Sequence, residues 1–93
     1  MVKDGEFVAI FNSIHRVMKA EKILKERSLP ILLIPAPRAL RADCGLAIRY
    51  GGADREAVEG VLSEFGLVPE EIFVREGGSY RRCDGPVGGS ELS

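Results

Sequence analysis

Cys44 is the side chain of this sequence best suited to covalent chemistry. It closes the segment Pro35-Ala36-Pro37-Arg38-Ala39-Leu40-Arg41-Ala42-Asp43-Cys44, which is polar, proline-restricted and rich in arginine. Free cysteine ordinarily favours the core, and this is a poor description of core. A thiol acts as a nucleophile through its thiolate, a form favoured by nearby cations and by helix amino termini. Arg38 and Arg41 precede Cys44 and Arg49 follows it, whereas the adjacent Asp43 opposes ionisation. Gly45 reads either as a backbone position with positive φ or as clearance for a substrate approaching the sulfur. His15 offers proton transfer or orientation beside the thiol. Arg38 offers a planar fork for a phosphate or carboxylate. Cys83, beside Arg81 and Arg82, is a secondary thiol that would resolve a disulfide or accept sulfur. Each has an inert counterpart: a small hydrophobe at a strand start, an exposed helical histidine, an ordinary loop arginine, an incidental cysteine.

The elements that must position these residues follow from periodicity. Glu6 to Phe11 (EFVAIF) is β-branched and aromatic and bounded by Gly5 and Asn12-Ser13, so it reads as a strand. Asn12 or Ser13 then caps a helix from Ile14 to about Ser28, in which Ile14, Val17, Met18, Ala20, Ile23 and Leu24 recur at helical spacing. Pro30 stops it. Ile31 to Ile34 is a short apolar strand, and Pro35-Ala36-Pro37 must leave the ladder because proline has no amide hydrogen. Gly45 to Tyr50 resumes a strand. Val58, Val61, Leu62 and Phe65 mark a second helix ending at Gly66, and Ile72 to Arg75 makes a last strand. The order βαββαβ predicts an α+β, ferredoxin-like fold, a four-stranded antiparallel sheet with two helices on one face. Residues 1–75 form the domain. Residues 76–93 hold five of the eleven glycines and read as a flexible tail.

In that topology the first and second strands run parallel, so the end of the first strand, the start of the first helix and the loop after the second strand share one edge. Cys44 is expected there, close to Asn12, Ser13 and the unpaired amides of the first helical turn. Cys83 leaves by the opposite edge, so a Cys44–Cys83 partnership is not favoured.

Composition bounds the function. With 93 residues, 45% hydrophobic and 29% charged, the chain is one small domain. Its apolar runs are far shorter than the roughly 20 residues that span a bilayer. The start of the sequence lacks a secretory pattern, so a cytoplasmic setting with free thiols is expected. His15 is the one histidine and the cysteines form no CxxC pair, so no metal site is expected. Net charge is −1, but residues 15–27 carry an excess of basic side chains and residues 53–76 an excess of acidic ones, a polarity that orients charged partners.

Taken together, Ser13-Ile14-His15, then Met18-Lys19-Ala20-Glu21-Lys22-Ile23-Leu24-Lys25, then Ile34-Pro35-Ala36-Pro37-Arg38 and Cys44-Gly45-Leu46-Ala47-Ile48-Arg49-Tyr50 resemble the selenium/sulfur carrier-like domain, a small bacterial and archaeal family. The resemblance runs from about Phe7 to Phe73. It implies that Cys44 holds a persulfide or perselenide, with His15 and Arg38 as neighbours. It also implies a cysteine desulfurase or selenium-donor enzyme upstream and an acceptor enzyme downstream. The chain departs from the family in having Arg41-Ala42-Asp43, rather than small hydroxyl residues, before the cysteine.

The expected function is therefore a carrier and not a self-sufficient enzyme: it needs no cofactor beyond the chalcogen carried covalently on Cys44. Two other readings stand beside it. One is a thiol redox sensor. The other is a non-catalytic binding module acting through its open sheet face, where Phe7, Phe11 and Tyr50 would stack bases; the weakly acidic charge and the missing RNA-binding motif disfavour nucleic acid. Because strands one and two carry apolar residues on both faces while helices cover one, the open face is expected to bury itself in a homodimer or on a partner.

Overall fold

The computed structural model describes residues 2–41 and 44–83. Its elements are β1 (Glu6–Ile10), α1 (Ile14–Glu26), β2 (Ile31–Pro35), β3 (Leu46–Gly51), a short 3₁₀ turn (Gly52–Asp54), α2 (Arg55–Glu64), β4 (Glu71–Glu76) and β5 (Ser79–Arg82). The expected βαββαβ succession is present and a fifth strand follows it. All pairings are antiparallel, in the order β2-β3-β1-β4-β5.

The fifth strand corrects the expected count of four. It arises inside the stretch assigned to a tail, where Gly77 and Gly78 have φ of 59° and 82°. Two successive positive φ values make a tight hairpin whose twist matches the strands it joins, and Ser79 thus pairs with Glu76. The remainder of the expected tail, residues 84–93, lies outside the described residues.

Both helices end by the same device. Ser28 (φ 61°) and Gly66 (φ 68°) take the left-handed conformation. The next amides, Leu29 N and Leu67 N, reach back to the carbonyls of Leu24 and Leu62, and both leucines turn inward. Val17, Ala20 and Leu24 of α1 and Val58 and Leu62 of α2 are at most 1% exposed. They pack on Phe7, Ala9, Ile48, Tyr50, Ile72 and Val74, the strand residues of alternate register. Ile14, Met18 and Phe65, expected in the apolar stripes, are instead exposed; Phe65 lies under the Arg27 guanidinium, 5.3 Å from it.

The other face of the sheet is not open. Val8, Ile10, Ala47 and Ile34 project there and are covered by Val2 from the amino-terminal segment and Leu40 from the loop after β2, with Phe73 and Tyr80 alongside. Val8 is fully buried and Leu40 is 9% exposed. Most of the apolar residues that suggested a dimer on this face are thus covered from within the chain, while Leu32, in register with Arg49 and Val8, is 44% exposed there. The aromatic residues offered for base stacking lie on the helix side and are buried, which removes the basis of the nucleic-acid reading.

Tyr50 contributes a pH dependence. Its ring stacks on Phe7 at 5.7 Å and its hydroxyl donates to Glu59 Oε2 at 2.9 Å, an oxygen that also accepts from Arg55 Nε at 3.0 Å. Burial first, then the Glu59 carboxylate, pushes the phenol above its ordinary value. Below a pH of about 10 the phenol is protonated in both folded and unfolded chains. Above it the unfolded phenol ionises and the folded one resists, so stability falls by up to ~1.4 kcal/mol per pH unit from this group. Urea midpoints at two alkaline pH values should show a steeper fall for the native sequence than for Tyr50→Phe; equal slopes would show that Tyr50 ionises freely.

Candidate functional site

Cys44 stands in the bend just before β3, half-buried against the helix-side core. Its sulfur lies 3.3 Å from the carbonyl oxygens of both Phe11 and Leu46. The thiol has one proton and faces two acceptors, so it donates to either carbonyl. The contact with Phe11 puts Cys44 at the carboxyl end of β1, the edge deduced from topology. The partners are nonetheless carbonyls and not the amides of the first helical turn. Of those amides, Arg16 N is taken by the helix cap, the Ser13 hydroxyl accepting from it at 3.4 Å, and Val17 N donates to the Ser13 carbonyl at 3.1 Å.

The loop between β2 and β3 is closed at its base by Ala36 N donating to Gly45 O at 2.9 Å and turned by Leu40 N donating to Pro37 O at 2.9 Å. Gly45 has φ of 73° with open space where a Cβ would stand. Its conformation, and not crowding, is what asks for glycine there. Leu40 anchors the loop on the helix-free face, so the sequence between Pro35 and Cys44 is less polar in effect than in composition.

The nine arginines of the chain divide sharply. Arg16 donates to the carbonyls of Gly66 and Val68. Arg27, Arg49, Arg55, Arg75, Arg81 and Arg82 each face a carboxylate within 4 Å. Arg38 and Arg41 make no ion pair or hydrogen bond among the described residues, and both are exposed on the Cys44 loop. The two guanidiniums without a partner among the described residues therefore belong to the segment that carries the cysteine.

The other expected residues separate. Arg41 lines a pocket of about 220 Å³ with Phe11, Asn12, Glu70 and Glu71, at the Cys44 end of β1. Pro37 and Arg38 line a different one on the helix-free face. Arg49 points to that face too, pairing with Glu6 at 3.9 Å beside Val8 and Leu32 in register, and does not join Cys44. His15 is exposed in the first turn of α1 and has no hydrogen bond or ion pair among the described residues. Glu70 and Glu71 went unnoticed in the sequence, although topology held the signal: β4 neighbours β1, so its start meets the end of β1.

Cys83 sits on the helix side at the far edge. Its amide donates to Ile72 O at 2.9 Å and its carbonyl accepts from Arg55 Nη2 at 3.4 Å. It continues the line of β5, while Cys44 precedes β3, and these are three strands apart in the sheet. At about 4.8 Å per strand the separation is ~14 Å, twice the ~7 Å at which a disulfide forms. Neither cysteine forms a disulfide among the described residues.

No helix among the described residues is long and apolar enough to cross a membrane. Comparison with known families finds that a model described as "Putative Se/S carrier protein-like" matches residues 6–74, a span holding β1 to β3, the first part of β4, both helices and the Cys44 loop. No curated protein and no solved structure matches the chain.

Proposed function

We propose that this chain, which belongs to the Se/S carrier protein-like family, receives sulfur or selenium on Cys44 from a donor enzyme and passes it to an acceptor. The observation that carries the reading is the loop itself. It holds a half-buried thiol at the sheet edge and the two arginines that have no partner among the described residues. A carrier needs a reachable sulfur and a surface for its donor and acceptor; the difficult chemistry belongs to them. Arg41, at the Cys44 end of β1, is the residue best placed to meet an acidic partner surface.

In the loading step the Cys44 thiolate attacks the outer sulfur of a persulfide on the donor. The donor's S–S bond breaks as the new one forms on Cys44, the donor leaves as a thiolate and takes the proton Cys44 gave up, and no external oxidant is needed. Delivery is the same exchange in reverse, toward the acceptor's nucleophile; selenium follows the same course. Loading has a local consequence. The inner sulfur then has no hydrogen for the Phe11 and Leu46 carbonyls, so the loaded side chain either donates through its outer atom or turns toward solvent.

Intact-mass measurement tests the reading. After incubation with a cysteine desulfurase and cysteine, or with a selenium donor, the native chain and Cys83→Ser should gain a chalcogen and Cys44→Ser should not. Equal loading of Cys44→Ser would overturn it.

A further inference from the structure

On the helix-free face, a pocket of about 430 Å³ lies between the start of the β2–β3 loop and the β4–β5 hairpin. Its volume falls within the ~300–1,000 Å³ range of small-molecule sites. Val2, Ile34 and Pro37 give it apolar walls, and its polar side chains are Arg38, Arg75 and Tyr80; among the described residues no carboxylate lines it. The two guanidiniums are not equivalent. Arg75 is tied down, with Nη1 donating to Val2 O at 2.7 Å and Nε 3.4 Å from the Asp4 carboxylate. It is fixed in place and its charge is largely offset by Asp4. Arg38, exposed at the rim, keeps its donors free among the described residues.

We propose that this pocket binds a small organic acid: an apolar body against Val2, Ile34 and Pro37, and an anionic head received by the Arg38 fork and Tyr80. The lining selects against the alternatives. A cation meets the unpaired Arg38 charge and, among the described residues, no carboxylate in the lining to receive it. A wholly apolar ligand leaves the Arg38 donors unused, whereas a carboxylate takes them in a paired, charge-assisted geometry. Beside apolar walls such a pair is less screened than on an open surface. Where the Cys44 sulfur packs on the helix side, this pocket opens on the opposite face, so the site is separate from the proposed carrier thiol and does not depend on that reading.

The test is an amide NMR titration of the whole chain with phenylpropionate, compared with phenylpropanol, which has the same body and no charge. Phenylpropionate should give saturable shifts centred on Val2, Ile34, Ala36, Arg38, Ala39 and Tyr80. Phenylpropanol should bind at least about tenfold more weakly, and Arg38→Ala should weaken phenylpropionate by about tenfold, the loss of one charge-assisted hydrogen-bonding partner. The spectrum of Arg38→Ala reports its own folding. Absence of saturable shifts at those amides, equal affinity for the alcohol, or unchanged affinity in Arg38→Ala would each overturn the proposal.

Discussion

Phe11→Ala should cost about 3–5 kcal/mol of unfolding free energy, because truncating a buried aromatic side chain loses its transfer energy and leaves a cavity that relaxes only in part. Phe11 is 1% exposed and belongs to the helix-side core. At roughly 0.05–0.15 kcal/mol per residue, a domain of about 80 residues holds only ~4–12 kcal/mol in all, so this one change removes much of it. The effect should reach the thiol as well. Phe11 supplies a carbonyl acceptor to Cys44 at 3.3 Å, and a collapsed end of β1 moves that acceptor. Urea unfolding gives the first quantity and the rate of Cys44 alkylation, measured in Cys83→Ser, gives the second. A loss below about 1 kcal/mol would mean that the site absorbs the cavity and that Phe11 does not hold the end of β1 in place.

Leu40→Ala should have the next largest effect, a loss of about 2–3 kcal/mol toward the lower end of the range for buried leucines. Leu40 is the loop's one large apolar residue, seated with Val8, Ile10 and Ile34 on the helix-free face. Without that seat, the hydrogen bonds from Leu40 N to Pro37 O and from Ala36 N to Gly45 O lose their support. Hydrogen exchange at these two amides should accelerate more than at the amides of β1. Uniform acceleration across the sheet would show a global loss without loop release. No change in either stability or exchange would show that Leu40 does not hold the loop.

Much of the fold was legible in the sequence for physical reasons that can be named. The short apolar run Phe7 to Phe11 and the helical spacing of Val17, Ala20 and Leu24 are burial patterns, and burial decided those elements. The Schellman-type ends were visible at Gly66 and hidden at Ser28, since serine does not announce a left-handed residue. β5 was missed because glycine-rich composition was weighed as tail, although Gly77-Gly78 between Arg75 and Tyr80 is a hairpin signal. The covered face was missed because PAPRALR was judged by its arginines. The apolar residues on both faces of β1 are plain in the sequence, but which set faces the helices is not, and the cover over Val8 and Ile10 comes from single residues, Val2 and Leu40, that no period reveals.

The candidate site divides in the same way. Topology alone brought Cys44 to the end of β1, because strand order is fixed by few rules. Which groups face the sulfur was beyond it. Carbonyl acceptors from Phe11 and Leu46 are backbone atoms that any side chain would carry, and Arg49, near in sequence, turns to the other face by strand alternation.

The central claim is that Cys44, and not Cys83, carries the chalcogen, and the protein as it comes from cells tests it most directly. After purification without reductant and trapping with an alkylating reagent, trypsin cuts after Arg41, Arg49 and Arg82 and so places the two cysteines on different peptides, residues 42–49 and the peptide starting at residue 83. Tandem mass spectrometry should find the alkylated persulfide or perselenide on the first peptide and only the alkylated thiol on the second. The chalcogen on the second peptide alone, or plain thiol on both while a known carrier treated in parallel keeps its sulfur, would contradict the account.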